Sequence, residues 1–280
     1  MANYTTADIK ALRERTGAGM LDVKKALDEA DGDIDKALEI IRVKGLRGVA
    51  KREGRATADG VIVVDIRPGD EGEVGTMVEV NSETDFVSKN EEFGKFADTV
   101  LAQAVATGAT DVETLLASNT PEGTPLSEAV AEVAARLGER IVVNRVVRLT
   151  AEKVTSYLHK TNPDLPPQLG VLVATDAAGA EVARDVGTHI AAYSPKYLTR
   201  EDVPEDIVAD ERRIAEEIAR NENKPEQAIP KIIEGRVNGF FKENVLLDQA
   251  YAKDPKQTVA KVFEAAGGKL IGFARFRVGA

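Results

Sequence analysis

Cysteine is absent from the sequence, which excludes a disulfide framework, a thiol nucleophile and a thiolate metal site. Histidine is nearly absent. His159 and His189 are the only imidazoles, far apart and without carboxylates at ligand spacing, so both read as structural or surface residues and no metal is expected. No apolar run approaches the roughly 18 residues of a membrane-spanning helix. Those present, such as residues 61–64, are strand-sized, and no membrane partner is expected. Residues 1–15 carry Asp8, Lys10, Arg13, Glu14 and Arg15 where a secretory signal needs an uninterrupted apolar stretch, so the expected location is cytoplasmic. The glycines before Lys269 lack the upstream glycine and the following Ser or Thr of a phosphate-binding loop, and no G-x-G-x-x-G occurs. No G-x-S-x-G elbow is present either, and the carboxylates are scattered over charged helical stretches. No enzyme constellation and no cofactor is therefore expected. With 37 basic and 47 acidic residues the net charge is −10, which works against polyphosphate binding over the surface as a whole, so nucleic acid is not the default partner.

What is present is ordinary globular material: 280 residues, 43% apolar and 30% charged, a length that suggests about two domains. The first stretch predicts three short helices, with Ile9 and Leu12, then Leu21, Val23 and Leu27, then Ile34, Ala37, Leu38 and Ile41 at helical spacing. Thr6 and Asp33 are candidate caps, and residues 16–19 (TGAG) and 31–32 break the pattern as turns. Residues 44–55 carry Lys44, Arg47, Lys51, Arg52 and Arg55 with three glycines and read as a flexible connector. Its alternatives are a solvated linker, favoured because no aromatic interleaves the charges, and an RNA-contacting arm.

From Ala58 the period changes to two. Residues 60–66 and 75–80 predict a hairpin whose tip, rich in Pro, Gly and acid, reads as loose. Helical periodicity returns through Phe93, Phe96, Ala97, Val100, Leu101 and Val105, a further helix covers 127–137, and 141–149 supplies another strand. Residues 154–159 and 169–174 repeat the strand pair, 182–192 the helix, and 269–278 a closing strand, a weak internal echo that suggests a duplicated α+β unit. Between them, two apolar stripes, one through Ile207, Ala215 and Ile218 and one through Ile229, Ile233 and Val237, predict an antiparallel helical pair. The organisation is α+β throughout: a module and linker at 1–54, a first core subdomain at 55–149, and a second at 150–280 with the helical pair inserted at about 204–245.

Residues 81–87 (NSETDFV) resist a plain structural account, because Phe86 beside Asp85 at a strand-to-helix junction is either tucked under the helix or projected. Spacing alone favours tucking. Here a resemblance bears on the choice. Residues 12–20 (LRERTGAGM), 22–27 (DVKKAL), 32–34 (GDI), 58–61 (ADGV) and 79–87 (EVNSETDFV), followed in order by 170–173 (GVLV), 190–192 (IAA), 224–225 (KP) and 234–237 (EGRV), closely resemble the bacterial elongation factor Ts family.

The resemblance implies a guanine nucleotide exchange factor that binds the GTPase elongation factor Tu and speeds GDP release without covalent chemistry. It also implies an amino-terminal module similar to ubiquitin-associated domains, two related core subdomains and a projecting coiled coil. By similarity, Thr84, Asp85, Phe86 and Val87 form the loop that enters near the partner's Mg²⁺ site, with Phe86 as apolar wedge and Asp85 as the polar group disturbing the ion's surroundings. Leu137 and Gly138 match a contact toward the phosphate-binding loop, Arg13, Met20 and Leu21 match the module's docking surface, and His159 falls in a stretch (SYLH) near the partner. The tip at 68–74 and the loop at 160–168 read as surface insertions, and the contribution of a carboxy-terminal helix, by which some members of the family add contact to the GTPase, is left open here. Self-association is a further partnership the sequence leaves open. The rival reading is a ribosome- or RNA-associated protein working through the basic 44–55 segment.

Overall fold

The computed structural model describes residues 3–279. Helices α1 (Thr6–Thr16), α2 (Met20–Glu29) and α3 (Ile34–Ala50) pack around Leu12, Val23, Ala26, Leu27 and Ala37. The cap of α1 is Thr5 rather than Thr6: its hydroxyl accepts the Asp8 N–H while the Asp8 carboxylate accepts the Thr5 N–H, a reciprocal box that satisfies donors at the helix start. Asp33 caps α3 as expected, accepting the N–H groups of Asp35 and Lys36. Two corrections follow. Residues 44–50 belong to α3 and are not a flexible connector, because the glycines there serve packing: a Cβ on Gly45 would lie 2.9 Å from the Ala135 Cβ. Leu21 is not a core position, since α2 turns Val23, Ala26 and Leu27 inward and leaves Leu21 exposed.

The first sheet contains β1 (Asp59–Gly69), β2 (Gly72–Ser82) and, after α4 (Asp85–Ser88), α5 (Glu91–Thr107), α6 (Val112–Ala117) and α7 (Leu126–Leu137), the returning strand β3 (Val142–Ala151). All pairings are antiparallel in the order β1-β2-β3. The hairpin tip is tight rather than loose, for Gly69 pairs with Gly72 and only Asp70 and Glu71 lie between. Pro68 is tolerated because β1 is an edge strand that spares one backbone donor.

The second sheet repeats the plan. A hairpin of β4 (Lys153–His159) and β5 (Leu169–Thr175) is followed by α8 (Ala180–Tyr193), α9 (Glu205–Asn221), α10 (Ile229–Asn244), a small hairpin of β6 (Ala250–Tyr251) and β7 (Asp254–Thr258), and α11 (Val259–Ala266). Strand β8 (Leu270–Arg277) then pairs with β5, giving β4-β5-β8. In both sheets the second strand of the hairpin is central and the last strand returns to its free edge. The sequence echo falls on α5 and α8, which bury Phe96 and Val186 against their respective sheets.

The sheets face one another across Ile62, Met77, Ala151, Val154, Leu172, Ala174 and Phe276, while their other faces carry helices. The period of two sorts side chains accordingly: Val78 and Val80 of β2 meet α5 and its neighbours, Met77 meets the opposite sheet, and in β5 Val171 and Val173 face one way and Leu172 the other. A strand covered on both faces reads as a continuous apolar run, as β5 does. Helices α9 and α10 bury Ala215, Ala219, Ile229 and Val237, and the ion pairs Arg212–Glu234 and Arg220–Glu226 cross them in reversed order, so the pair is antiparallel. No described helix is long and apolar enough to cross a membrane.

Candidate functional site

Strand β2 ends at Ser82 and the chain makes one helical turn, α4, before Asn90 caps α5 through the Glu92 N–H. Successive residues on that turn point about 100° apart, so Phe86 and Val87 cannot share a face. Val87 takes the inner place, in the first core with Val61, Val78 and Phe93, and Phe86 is left 82% exposed. The tucked arrangement favoured by spacing is thereby overturned: the neighbouring β-branched residue fills the slot an aromatic would have needed.

Asp85 stands beside it and forms an ion pair with Lys89 one turn on, at 2.8 Å. The hydrogen bond from the Lys89 ammonium holds the Asp85 carboxyl below the usual carboxylate range. Asp59, across from Ser82 in β1, is affected in the opposite sense: burial, then the nearby Asp85 charge, pushes its carboxyl up, while Gln168 donates to it at 3.4 Å. The 160–168 loop thus closes against the base of the α4 turn.

Thr84 sits at the N-cap position of α4, yet its side chain caps nothing. Its hydroxyl donates to Glu139 Oε1 at 2.6 Å and its backbone N–H to Oε2 of the same carboxylate at 3.0 Å. Glu139 lies just beyond the end of α7, where Gly138 closes the helix with φ +76, a left-handed value that favours glycine. The exchange is reciprocal: Glu83 accepts the Arg140 N–H at 2.7 Å and also the Arg55 guanidinium at 3.1 Å. Burial acts against the charge on Glu83, but these donors outweigh it and leave its carboxyl below the usual range. Each turn lends a carboxylate to the other's backbone.

The structure therefore joins residues that the sequence left separate. Thr84 to Val87 and Leu137 to Gly138 meet through Glu139, with Gly138 exposed and Leu137 half-buried against the first core. The α1–α2 turn abuts the same helix end, since a Cβ on Gly17 would lie 3.6 Å from the Arg136 Cβ. Beyond that turn Met20 and Leu21 are 61% and 72% exposed and Arg13 is exposed. His159 is not brought into contact with these groups; it lies exposed at the end of edge strand β4, where the Tyr157 hydroxyl meets its Nδ1 at 3.2 Å. Glu83, Glu139, Lys89 and Asp59 were given no role by the sequence reading, because their partners are remote along the chain, Lys89 apart. For Lys89 the i,i+4 spacing from Asp85 was a legible signal.

The basic 44–55 segment is partly neutralised, Lys44 pairing with Glu29 and Arg55 with Glu83. Among the described residues, no group of three or more His, Asp or Glu side chains is placed to hold a metal ion.

A family model described as elongation factor Ts matches residues 83–280. The chain is 64% identical over 282 residues to the elongation factor Ts of Beutenbergia cavernae, 62% over 283 to that of Renibacterium salmoninarum and 61% over 282 to that of Micrococcus luteus, with the whole of both chains covered each time. Set beside an exposed turn on a braced scaffold, these likenesses define the class, a translation elongation factor. The chain belongs to the elongation factor Ts family. A role in the elongation phase of protein synthesis follows from that membership.

Proposed function

We propose that the chain is a guanine nucleotide exchange factor for elongation factor Tu and acts by binding alone, with no covalent step. The observation that carries this reading is the exposure of Phe86, 82%, on a turn whose backbone is held by carboxylate bonds to the neighbouring turn. Burying so large an apolar ring in a partner is strongly favourable, whereas leaving it in water gains the chain nothing.

A GTPase retains GDP through its phosphate-binding loop and a Mg²⁺ ion that bridges phosphate and protein oxygens. A partner releases the nucleotide only if it binds more tightly to the form in which those contacts are broken. Phe86 serves as the wedge and Asp85 as the acid that competes near the ion, with Thr84 and Val87 fixing their placement. Gly138 and the end of α7 reach toward the phosphate loop. Arg13, Met20 and Leu21 dock the three-helix module, taken as similar to ubiquitin-associated domains, on the GTPase, and His159 contributes a peripheral contact. Linkage makes the effect reciprocal: whatever factor the chain takes from GDP affinity, GDP takes from affinity for the chain.

The test is stopped-flow release of fluorescent GDP from elongation factor Tu. Phe86→Ala is expected to slow release by at least about tenfold, since a buried aromatic anchor is commonly worth ~2 kcal/mol or more. Asp85→Asn is expected to slow it less. Release that proceeds equally fast with and without the unsubstituted chain refutes the reading.

A further inference from the structure

The Thr84 hydroxyl does not serve the purpose a fold ordinarily gives a threonine at the start of a helix. A threonine at an N-cap position normally accepts a hydrogen bond from its own helix. Here the hydroxyl is turned away, the first donors of α4 go uncapped by it, and the backbone N–H that precedes the helix is taken by the same remote carboxylate. Both oxygens of Glu139 are engaged by one residue, at 2.6 and 3.0 Å, in charge-assisted bonds. Two bonds to one residue fix orientation as well as distance. The residue so fixed is two positions from Phe86.

The neighbouring bond shows what a fold brace alone looks like. Glu83, directly after β2, accepts the backbone N–H of Arg140 ahead of β3. In the second sheet Asp176, directly after β5, accepts the backbone N–H of Lys269 ahead of β8, at 2.9 Å. That brace recurs because both sheets need their returning strand held at the same place. Asp176 makes its second bond to Gly179 within its own turn, and Ala177, which follows it as Thr84 follows Glu83, donates its backbone N–H to Glu152 Oε2 at 3.0 Å but has no hydroxyl to engage the carboxylate a second time. The hydroxyl bond, by which one carboxylate holds a residue at two points, is made in the sheet where an exposed aromatic follows and has no equivalent at Ala177.

We propose that Glu139 is a positioning residue for nucleotide exchange: its carboxylate clamps Thr84 so that Phe86 is presented in one orientation, and it couples the α4 turn to the end of α7 as a single rigid contact. This rests on the exchange reading above and specifies how the same surface is preorganised. An aromatic on an unclamped turn would have to be ordered at the moment of binding, and that ordering is subtracted from the interaction it makes. Clamped in advance, the side chain delivers its full interaction where the partner's ion and phosphate contacts are being broken.

The experiment uses the full chain with Glu139→Gln, Thr84→Val, the double variant, and Glu139→Gln combined with Phe86→Ala. Gln keeps the size of the side chain but loses the charge and one acceptor, and Val keeps the shape of Thr without its hydroxyl. At saturating chain, Glu139→Gln is expected to lower the GDP release rate from elongation factor Tu by about tenfold, the scale of one charge-assisted bond. The double variant is expected to match Glu139→Gln rather than multiply the two losses. In the Phe86→Ala background most of the Glu139→Gln effect should vanish, which a merely structural role would not produce. Amide hydrogen exchange of residues 83–88 in the free chain, a readout independent of activity, is expected to rise about tenfold in Glu139→Gln. Unchanged exchange of these amides, or a loss of thermal stability with the saturated release rate intact, overturns the proposal. Should Glu139→Gln fail to fold, Thr84→Val carries the same measurements. If the unsubstituted chain does not accelerate GDP release, the exchange reading falls, and the amide measurement then decides the clamp alone: faster exchange upholds it and unchanged exchange overturns it.

Discussion

The two sheets of the core are built alike and equipped differently. In each, a hairpin is followed by a helix on the outer face and, after an excursion, by a strand that returns to the hairpin's second member. In the second sheet the passage from β5 into α8 is short and closed: Asp176 accepts from Gly179 at 2.8 Å and from Lys269 at 2.9 Å. Gly268 approaches so nearly that a Cβ there would fall 2.3 Å from the Gly179 nitrogen. No side chain is presented. In the first sheet the equivalent passage carries an additional helical turn, α4, and with it Asp85 and Phe86. One scaffold thus appears twice, and the copy bearing the exposed aromatic is the one whose connection is longer and more heavily bonded.

If the two sheets are equivalent as frames, damage to their shared interface should be symmetric. Met77 from the first sheet and Leu172 from the second are both fully buried in the layer between them. Met77→Ala and Leu172→Ala are each expected to cost about 2–5 kcal/mol, the range for deleting a large apolar side chain from a packed core. Urea unfolding followed by far-UV circular dichroism should give one transition for each variant. A second transition in either would show that one sheet stands without the other, and the comparison would break.

Much of this frame was legible because its signals are local. The period of two through 60–66 and 75–80, the cap at Asp33, and the return of residues 269–278 as a strand each depend on neighbours in sequence. The connector at 44–55 misled because glycines among charges suggest flexibility, while Gly45 is there to admit Ala135 from α7, ninety positions away. The short β6–β7 hairpin, polar and only two and five residues long in its strands, carries no alternation to detect. For Phe86, spacing pointed inward and resemblance outward; the decision lay with Val87, whose claim on the core no single-residue pattern announces. Glu139 was invisible for a plainer reason. A glutamate after a helix-ending glycine is ordinary, and only the tertiary fold aims it at Thr84.

The sheets should also part company on acidification, a smaller effect. His189 on α8 is buried: its Nε2 lies 2.8 Å from Gln249 Oε1, its Nδ1 accepts the Ala252 N–H at 3.1 Å, and its ring stacks on Tyr193. With Nδ1 accepting, Nε2 carries the proton and the ring is neutral. Burial pushes its affinity for a second proton down. The unfolded chain, where histidine titrates near about 6.5, then binds the proton more readily than the folded one, so stability falls as pH drops below that value and is fully present above it. The carboxylates of Glu83 and Asp176, both held low by hydrogen bonds, give up their contribution only at more acid pH, as the pH falls through their depressed values. Between pH 7 and pH 5 the urea midpoint should therefore decline, and amide exchange should rise first around α8 and β6. His189→Gln is expected to flatten the His189 part of that pH dependence. A decline of equal size in His189→Gln would assign the effect elsewhere.

The smallest expected change separates adjacent residues most sharply. Phe86→Ala removes a large aromatic that is 82% exposed, and surface substitutions of this kind stay within about 0.5 kcal/mol in stability. Val87→Ala removes only two methyl groups but from the packed first core, and is expected to cost roughly 2 kcal/mol. Urea midpoints of the two variants decide it. Equal losses would mean that the ring is covered in solution by its own chain, and the difference between the two sheets would then be one of packing, with no prong to explain. A near-zero loss at Phe86 beside a clear one at Val87 would mean that the additional turn spends its inner residue on the fold and keeps its outer one free for a partner.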